Sequence, residues 1–144
     1  MEEQSYAKHA KYVPMYHFVL FGLIVLAFIG SLVNLFQSFS DHSRLYNASL
    51  ITVLSIAALL QFVFTRNFAM KVQDRAIRAE EGLRHFILTG KRLDTRLTIK
   101  QIIGLRFASD AEFPDLARKA AAESLTLDSI KKSVRNWRPD YDRA

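Results

Sequence analysis

Apolar positions fall into two uninterrupted blocks in the first half of the chain. Val13 to Ser40 contains no Asp, Glu, Lys or Arg, and neither does Leu45 to Thr65. Each block reaches or exceeds the ~20 residues that a helix needs to cross ~30 Å of hydrocarbon. Only Ser40–Arg44 separates them, a link that can only reverse the chain at one face of a bilayer. The pattern predicts an antiparallel transmembrane hairpin of two spans over 14–64, preceded by a short segment over 1–13. A cleaved signal peptide does not fit. Glu2 and Glu3 stand at the start, the apolar core far exceeds the usual ~7–15 residues, and a second block follows at once.

After the second block the apolar residues become periodic. Phe68, Val72, Ala76, Ala79, Leu83 and Phe86 step by three or four, the signature of one helical stripe. Asp74–Arg78 and Glu80–Arg84 are acid-before-base pairs at i,i+4, suited to an exposed face. Gly90 is a natural stop. The second span should therefore continue as a juxtamembrane helix over 65–90, one helix of ~67 Å from Leu45 to Thr89 at ~1.5 Å per residue. A stripe outside a bilayer needs a partner, and the segment over 91–144 is the expected one.

That segment reads as a small helical module. Thr98 and Gln101 form a capping-box pair, with Leu97 and Ile102 as its staple, and predict a helix through Ile103 and Phe107. Ser109 and Glu112 give a second capping signal, but Pro114 favours a helix that begins at the proline and runs to about Ser124. A last helix should start at Leu127, carry Ile130, Val134 and Trp137 on one face, and stop at Pro139. No alternating pattern appears, so no strand is expected. The predicted fold class is all-α.

Charge sharpens this division. From Arg66 onward there are 17 basic and 11 acidic residues, whereas 1–65 balances at 3 and 3. Near the span ends, Lys8 and Lys11 precede the first block, Arg44 alone lies in the link, and Arg66, Lys71, Arg75, Arg78 and Arg84 follow the second. The positive-inside rule places both termini in the cytoplasm. The sequence has no Cys, which excludes disulfide scaffolds, thiolate metal sites and cysteine nucleophiles. His9, His17, His42 and His85 are not spaced as a zinc or haem site. Asp110, Glu112 and Asp115 cluster, but acids at a helix start complement its dipole without any catalytic role. No phosphate-binding glycine loop or nucleophile elbow is present. No enzyme, cofactor or metal is expected.

Three groups of residues are candidates for contacts. Helices in lipid associate through small residues, and Gly22, Ala27, Gly30 and Ser31 on the first span can meet Ala48, Thr52, Ser55 and Ala58 on the second. Folding the hairpin about residue 42 brings Gly30 near Ser55 and Ala27 near Ala58. The same small face could instead meet another subunit. Lys131, Lys132, Arg135 and Arg138 on the last helix could meet an anionic partner, either lipid headgroups or nucleic acid. Helices over 114–124 and 127–138 have only the outline of a helix-turn-helix, so nucleic acid is the less favoured partner. No ionisable residue lies in mid-span, which argues against a channel or pump acting alone.

Several strings have a familiar look: SRLYNASL at 43–50, QDRAIRAEEGLRHF at 73–86, QIIGLRFASDAEFPDLARKAA at 101–121 and IKKSVRNWRPDY at 130–141. Together, from Tyr6-Ala7-Lys8-His9 to Tyr141, the chain resembles a family of small bacterial two-span membrane proteins known only as a domain of unknown function. The resemblance implies a bacterial inner-membrane protein and no activity. It directs attention to Asp74, Arg75, Arg78, Glu80 and Glu81 on the long helix, and to Arg106 and Asp110 in the module. Their side chains are expected to form a polar seam, either locking the tail to the helix through bidentate pairs or serving as a docking surface. The function expected is that of a non-enzymatic accessory or scaffold protein, with the lipid bilayer and another membrane protein or a homo-oligomer as partners. The alternatives are a membrane-tethered binder of nucleic acid or anionic lipid, and a small transporter component acting as an oligomer.

Overall fold

The computed structural model describes residues 12–140. The first eleven residues and the last four, including Lys8, Lys11 and Tyr141, lie outside the described residues. So does nearly all of the N-terminal segment expected over 1–13. The chain is helical, with no strand among the described residues. It divides into two compact units, one over 12–69 and one that contains residues 70–140.

The first unit is a hairpin. Helix α1, Met15–Gln37, begins with a π-helical stretch at Met15–Leu20 just after Pro14. Helix α2, His42–Thr89, gives its N-terminal part to this unit. The link is shorter than expected because Asp41 caps α2, its carboxylate accepting from the N–H groups of Ser43 (3.0 Å) and Arg44 (3.2 Å). Covered positions on α2 are Leu45, Ala48, Thr52, Ser55, Leu59 and Phe62, and on α1 Ile24, Phe28, Ser31, Leu35 and Ser38. Both series step by three and four in alternation, the period of a left-handed two-helix seam. Ser31, Ser38, Ala48 and Thr52 are its most buried residues, and the Thr52 hydroxyl donates to the carbonyls of Ala48 (2.9 Å) and Ser31 (3.3 Å). Tyr16 closes the open end. Its hydroxyl donates to the Phe62 carbonyl at 2.8 Å, and its ring stacks on Phe62 at 4.5 Å.

This seam corrects the expected one. Ala27, Gly30 and Ala58 are exposed, and a Cβ built on Gly30 would meet nothing within 4 Å. Counting back from the turn gives the depth of a residue but not its rotation about the helix axis. Ser31 and Leu59 face inward, so their neighbours Gly30 and Ala58 turn away. Gly22 and Ser55 are partly covered.

In the second unit, the C-terminal part of α2 ends at Gly90, whose φ of +69° is a left-handed stop. Three short helices follow: α3, Ile99–Leu105; α4, Phe113–Ala122; and α5, Leu127–Ser133. The Thr98–Gln101 capping box forms in full, and Gln101 also donates to the Leu125 carbonyl at 2.9 Å, tying α3 to the turn before α5. Leu97 and Ile102, the staple pair, are both buried. The core is built from Leu105, Phe107, Phe113, Ala120 and Ile130, all fully buried, with Ile77 from α2 against them.

Two expectations about this unit are corrected. The last helix ends at Ser133, and Val134 turns to extended backbone (ψ 122°). From there the chain pairs with 107–109. The Arg138 N–H donates to the Phe107 carbonyl (2.8 Å), and the Ser109 N–H donates to the Asn136 carbonyl (3.1 Å). Val134 and Trp137 still face the core, but as extended chain. The second correction concerns the α2 stripe. The module covers Ile77 and Glu81 instead, while Val72, Leu83 and Phe86 stay exposed.

Helix α3 crosses α5 at Gly104. A Cβ there would lie 3.1 Å from Ile130 Cγ2 and 3.2 Å from Leu127 Cδ1. Gly104→Val should therefore overpack the crossing and cost about 1–3 kcal/mol. A lower midpoint in thermal unfolding, followed by Trp137 fluorescence, is the expected result.

Candidate functional site

The polar seam expected between the long helix and the tail exists, but it is organised by Arg84. That residue sits three positions after Glu81, one helical turn along. Its side chain is 10% exposed, and each of its three nitrogens donates a hydrogen bond. Nη1 donates to Glu81 Oε2 at 2.9 Å, Nε donates to Asp110 Oδ1 at 2.7 Å, and Nη2 donates to the Ala108 carbonyl at 2.7 Å. The guanidinium carbon lies 4.5 Å from the centre of the Phe113 ring, which forms its floor. A planar fork with five N–H groups fits this arrangement, and an ammonium does not.

Around this centre lie two further arginines and a third acid. Glu81 Oε1 is 3.8 Å from Arg138 Nη1, and Arg106 Nη1 is 3.1 Å from Asp140 Oδ2. Arg106 also lies over the Phe107 ring, 4.7 Å from its centre. A groove of about 430 Å³ runs past Gln73, Ile77, Glu81, Arg106, Arg138 and Asp140. Within it the Gln73 side-chain oxygen is buried and has no hydrogen-bond partner among the described residues.

The other expected seam residues are placed differently. Arg75, Arg78 and Glu80 are exposed and Asp74 is half-buried, and none of them makes an ion pair among the described residues. The expected Glu80–Arg84 pair is replaced by Glu81–Arg84. Arg84 was visible in the sequence only as one half of a surface pair. The signal that could have found it is the Glu81 spacing together with the aromatic Phe113 beside two acids.

The basic residues near the end are not one patch on one helix. Lys131 lies over the Phe107 ring at 5.5 Å, and Lys132 pairs with Asp128 at 2.7 Å. Arg138 approaches Glu81, and Arg135 and Arg138 stand on extended chain beyond α5. The helix expected over 127–138 therefore does not exist as a recognition helix.

Glu112 has a role that its sequence context only half suggested. Its carboxylate accepts N–H groups from Ser109 (3.2 Å), Arg135 (3.2 Å) and Asn136 (3.1 Å). Two of these are donors that a longer α5 would have kept. The carboxylate thus helps to hold the chain after α5 in its extended path. The Ser109 hydroxyl is buried without a hydrogen-bond partner among the described residues, so the capping box expected there is only half made. Burial pushes the Glu112 carboxyl up, but the three N–H groups outweigh it and hold it below its ordinary 4.5. In the loop before α3, the side chain and N–H of Arg96 hold the Asp94 carboxyl down at about 2.

A model of a family of unknown function, DUF6526, matches residues 1–144. No curated protein and no solved structure matches the chain.

Two outcomes follow from the seam. Arg84→Ala strands the buried Glu81 carboxylate and should cost the unit about 3 kcal/mol, with Arg84→Lys falling between it and the parent in thermal unfolding. Glu112→Gln should cost about 1–2 kcal/mol at neutral pH. The pH dependence fixes the cause. The depressed carboxyl stabilises the fold above its unfolded value near 4.5 and loses that contribution as pH falls through its lower folded value. The parent should therefore lose stability over that acid range more steeply than Glu112→Gln, as read in urea melts at a series of pH values.

Proposed function

For this chain, which belongs to that family of unknown function, we propose the role of a two-span integral membrane protein of the bacterial inner membrane. It acts as a non-enzymatic accessory or scaffold subunit. One observation carries the membrane reading. In the hairpin most of the large apolar side chains point outward, and three hydroxyl side chains point inward. Leu26, Phe36 and Leu54 are 68–72% exposed, whereas Ser31, Ser38 and Thr52 are buried and bonded to backbone carbonyls. Water would penalise so large an apolar surface, and hydrocarbon would not. Both helices have the length and composition needed to cross a bilayer.

Lys and Arg counts set the orientation, with both termini in the cytoplasm. The module then hangs on the cytoplasmic continuation of α2, held by Arg84. Its open surface, including the groove beside Glu81 and Arg106, is the face offered to a partner.

The test uses the absence of native cysteine. In bacterial cells expressing the full chain, the protein should stay in the membrane pellet after alkaline carbonate. A Ser43→Cys variant should react with an impermeant maleimide in intact spheroplasts, and Thr95→Cys only after lysis. Release by carbonate would remove the membrane reading, and labelling of Thr95→Cys in intact cells would reverse the orientation.

A further inference from the structure

The module leaves one face of α2 uncovered, and that face has the form of a dimer seam. Val72, Ala76, Ala79, Leu83 and Phe86 step by four, three, four and three, the spacing of d, a, d, a and d positions in a heptad. All five are exposed, with Val72 at 68%, Leu83 at 61% and Phe86 at 53%. The residues that hold the module, Ile77, Glu81 and Arg84, occupy the b and f positions on the opposite side. The module therefore cannot cover the stripe without leaving its own core.

We propose that the stripe from Val72 to Phe86 pairs with the same stripe of a second copy, in parallel, as a short two-stranded coiled coil. The charges beside the seam select this occupant. Arg75 falls at position g and Glu80 at position e of the following heptad, the two positions that face each other across a parallel dimer. Both are exposed, and neither makes an ion pair among the described residues. A second copy supplies the missing counter-charge twice, Arg75 to Glu80 and Glu80 to Arg75. An antiparallel pair in the same register sets Glu80 against its own counterpart, which is repulsive. Ala76 and Ala79 let the two backbones approach closely, and Leu83 and Phe86 fill the wider end.

The seam spans about 22 Å at ~1.5 Å per residue, too short to hold two free helices together in water. The proposal therefore rests on the membrane reading, in which both copies are confined to one bilayer with the same orientation. Confinement raises their effective concentration.

The experiment takes membranes of cells that express the full chain with single cysteines and treats them with a mild oxidant. Ala76→Cys and Leu83→Cys should both give a disulfide-linked dimer, and Arg118→Cys on the exposed side of α4 should not. A dimer from Arg118→Cys equal to that from Leu83→Cys, or none from either seam position, overturns the proposal. Crosslinking at one seam position but not the other indicates a different register and also overturns it. Charge reversal supplies the second arm. In the Leu83→Cys background, Arg75→Glu and Glu80→Arg should each reduce the crosslinked fraction, and the two together should restore it. Failure of the double variant to recover, with Trp137 emission unchanged from the parent, counts against the paired charges. Carbonate extraction of the same membranes is independent of crosslinking, so a failed dimer and a failed membrane reading give different results.

Discussion

The second unit depends on one buried guanidinium. Arg84 joins the long helix to the module through a carboxylate on its own helix, a carboxylate and a carbonyl from the chain after α3, and an aromatic ring at the start of α4. Removing a charge from water is costly unless it is paired and hydrogen-bonded, and here each guanidinium nitrogen donates, to Glu81 on its own helix or to residues 108–110 far along the chain. The geometry explains why the module docks on the Ile77–Glu81–Arg84 face rather than on the apolar stripe beside it. Apolar packing alone would not choose between two faces that each offer Val, Leu, Ile or Ala. An arginine whose partners all lie in one place does choose.

The two units invert each other's chemistry. In the hairpin, the Ser31, Ser38 and Thr52 hydroxyls lie inside and bond to nearby carbonyls, while Leu26, Phe36, Leu54 and most other large apolar residues face outward. In the module, phenylalanines and aliphatic residues lie inside, and most charges are exposed. One continuous helix, α2, serves both. Its sequence changes character near Arg66, where the charge-free run ends.

Local signals are legible in the sequence. The two apolar blocks, the Thr98 capping box and the Gly90 stop each depend on residues within a turn or two, so spacing alone exposes them. Rotation was not readable in the same way. Ser31 and Gly30 are neighbours of similar size, and only the seven-residue period, which runs through Ile24, Phe28, Ser31, Leu35 and Ser38, separates the inward residue from the outward one. Nonlocal pairing was hidden altogether. Val134 and Trp137 continue a helical stripe on paper, yet the Glu112 carboxylate takes the N–H groups of Arg135 and Asn136 and the chain runs extended against 107–109. Arg84 was largely hidden too, because its partners other than Glu81 come from residues 108 to 113.

The central claim is that the outward apolar face of the hairpin is covered by lipid. The most direct measurement is hydroxyl-radical footprinting of the full chain in lipid nanodiscs, read residue by residue by mass spectrometry. Met15, Phe36 and Leu54 are 69%, 72% and 68% exposed on the protein itself. If lipid covers them, Phe36 and Leu54 should be almost unlabelled, and Met15, near the end of its helix, only partly labelled. Labelling of all three in proportion to their exposure on the bare protein would contradict the account.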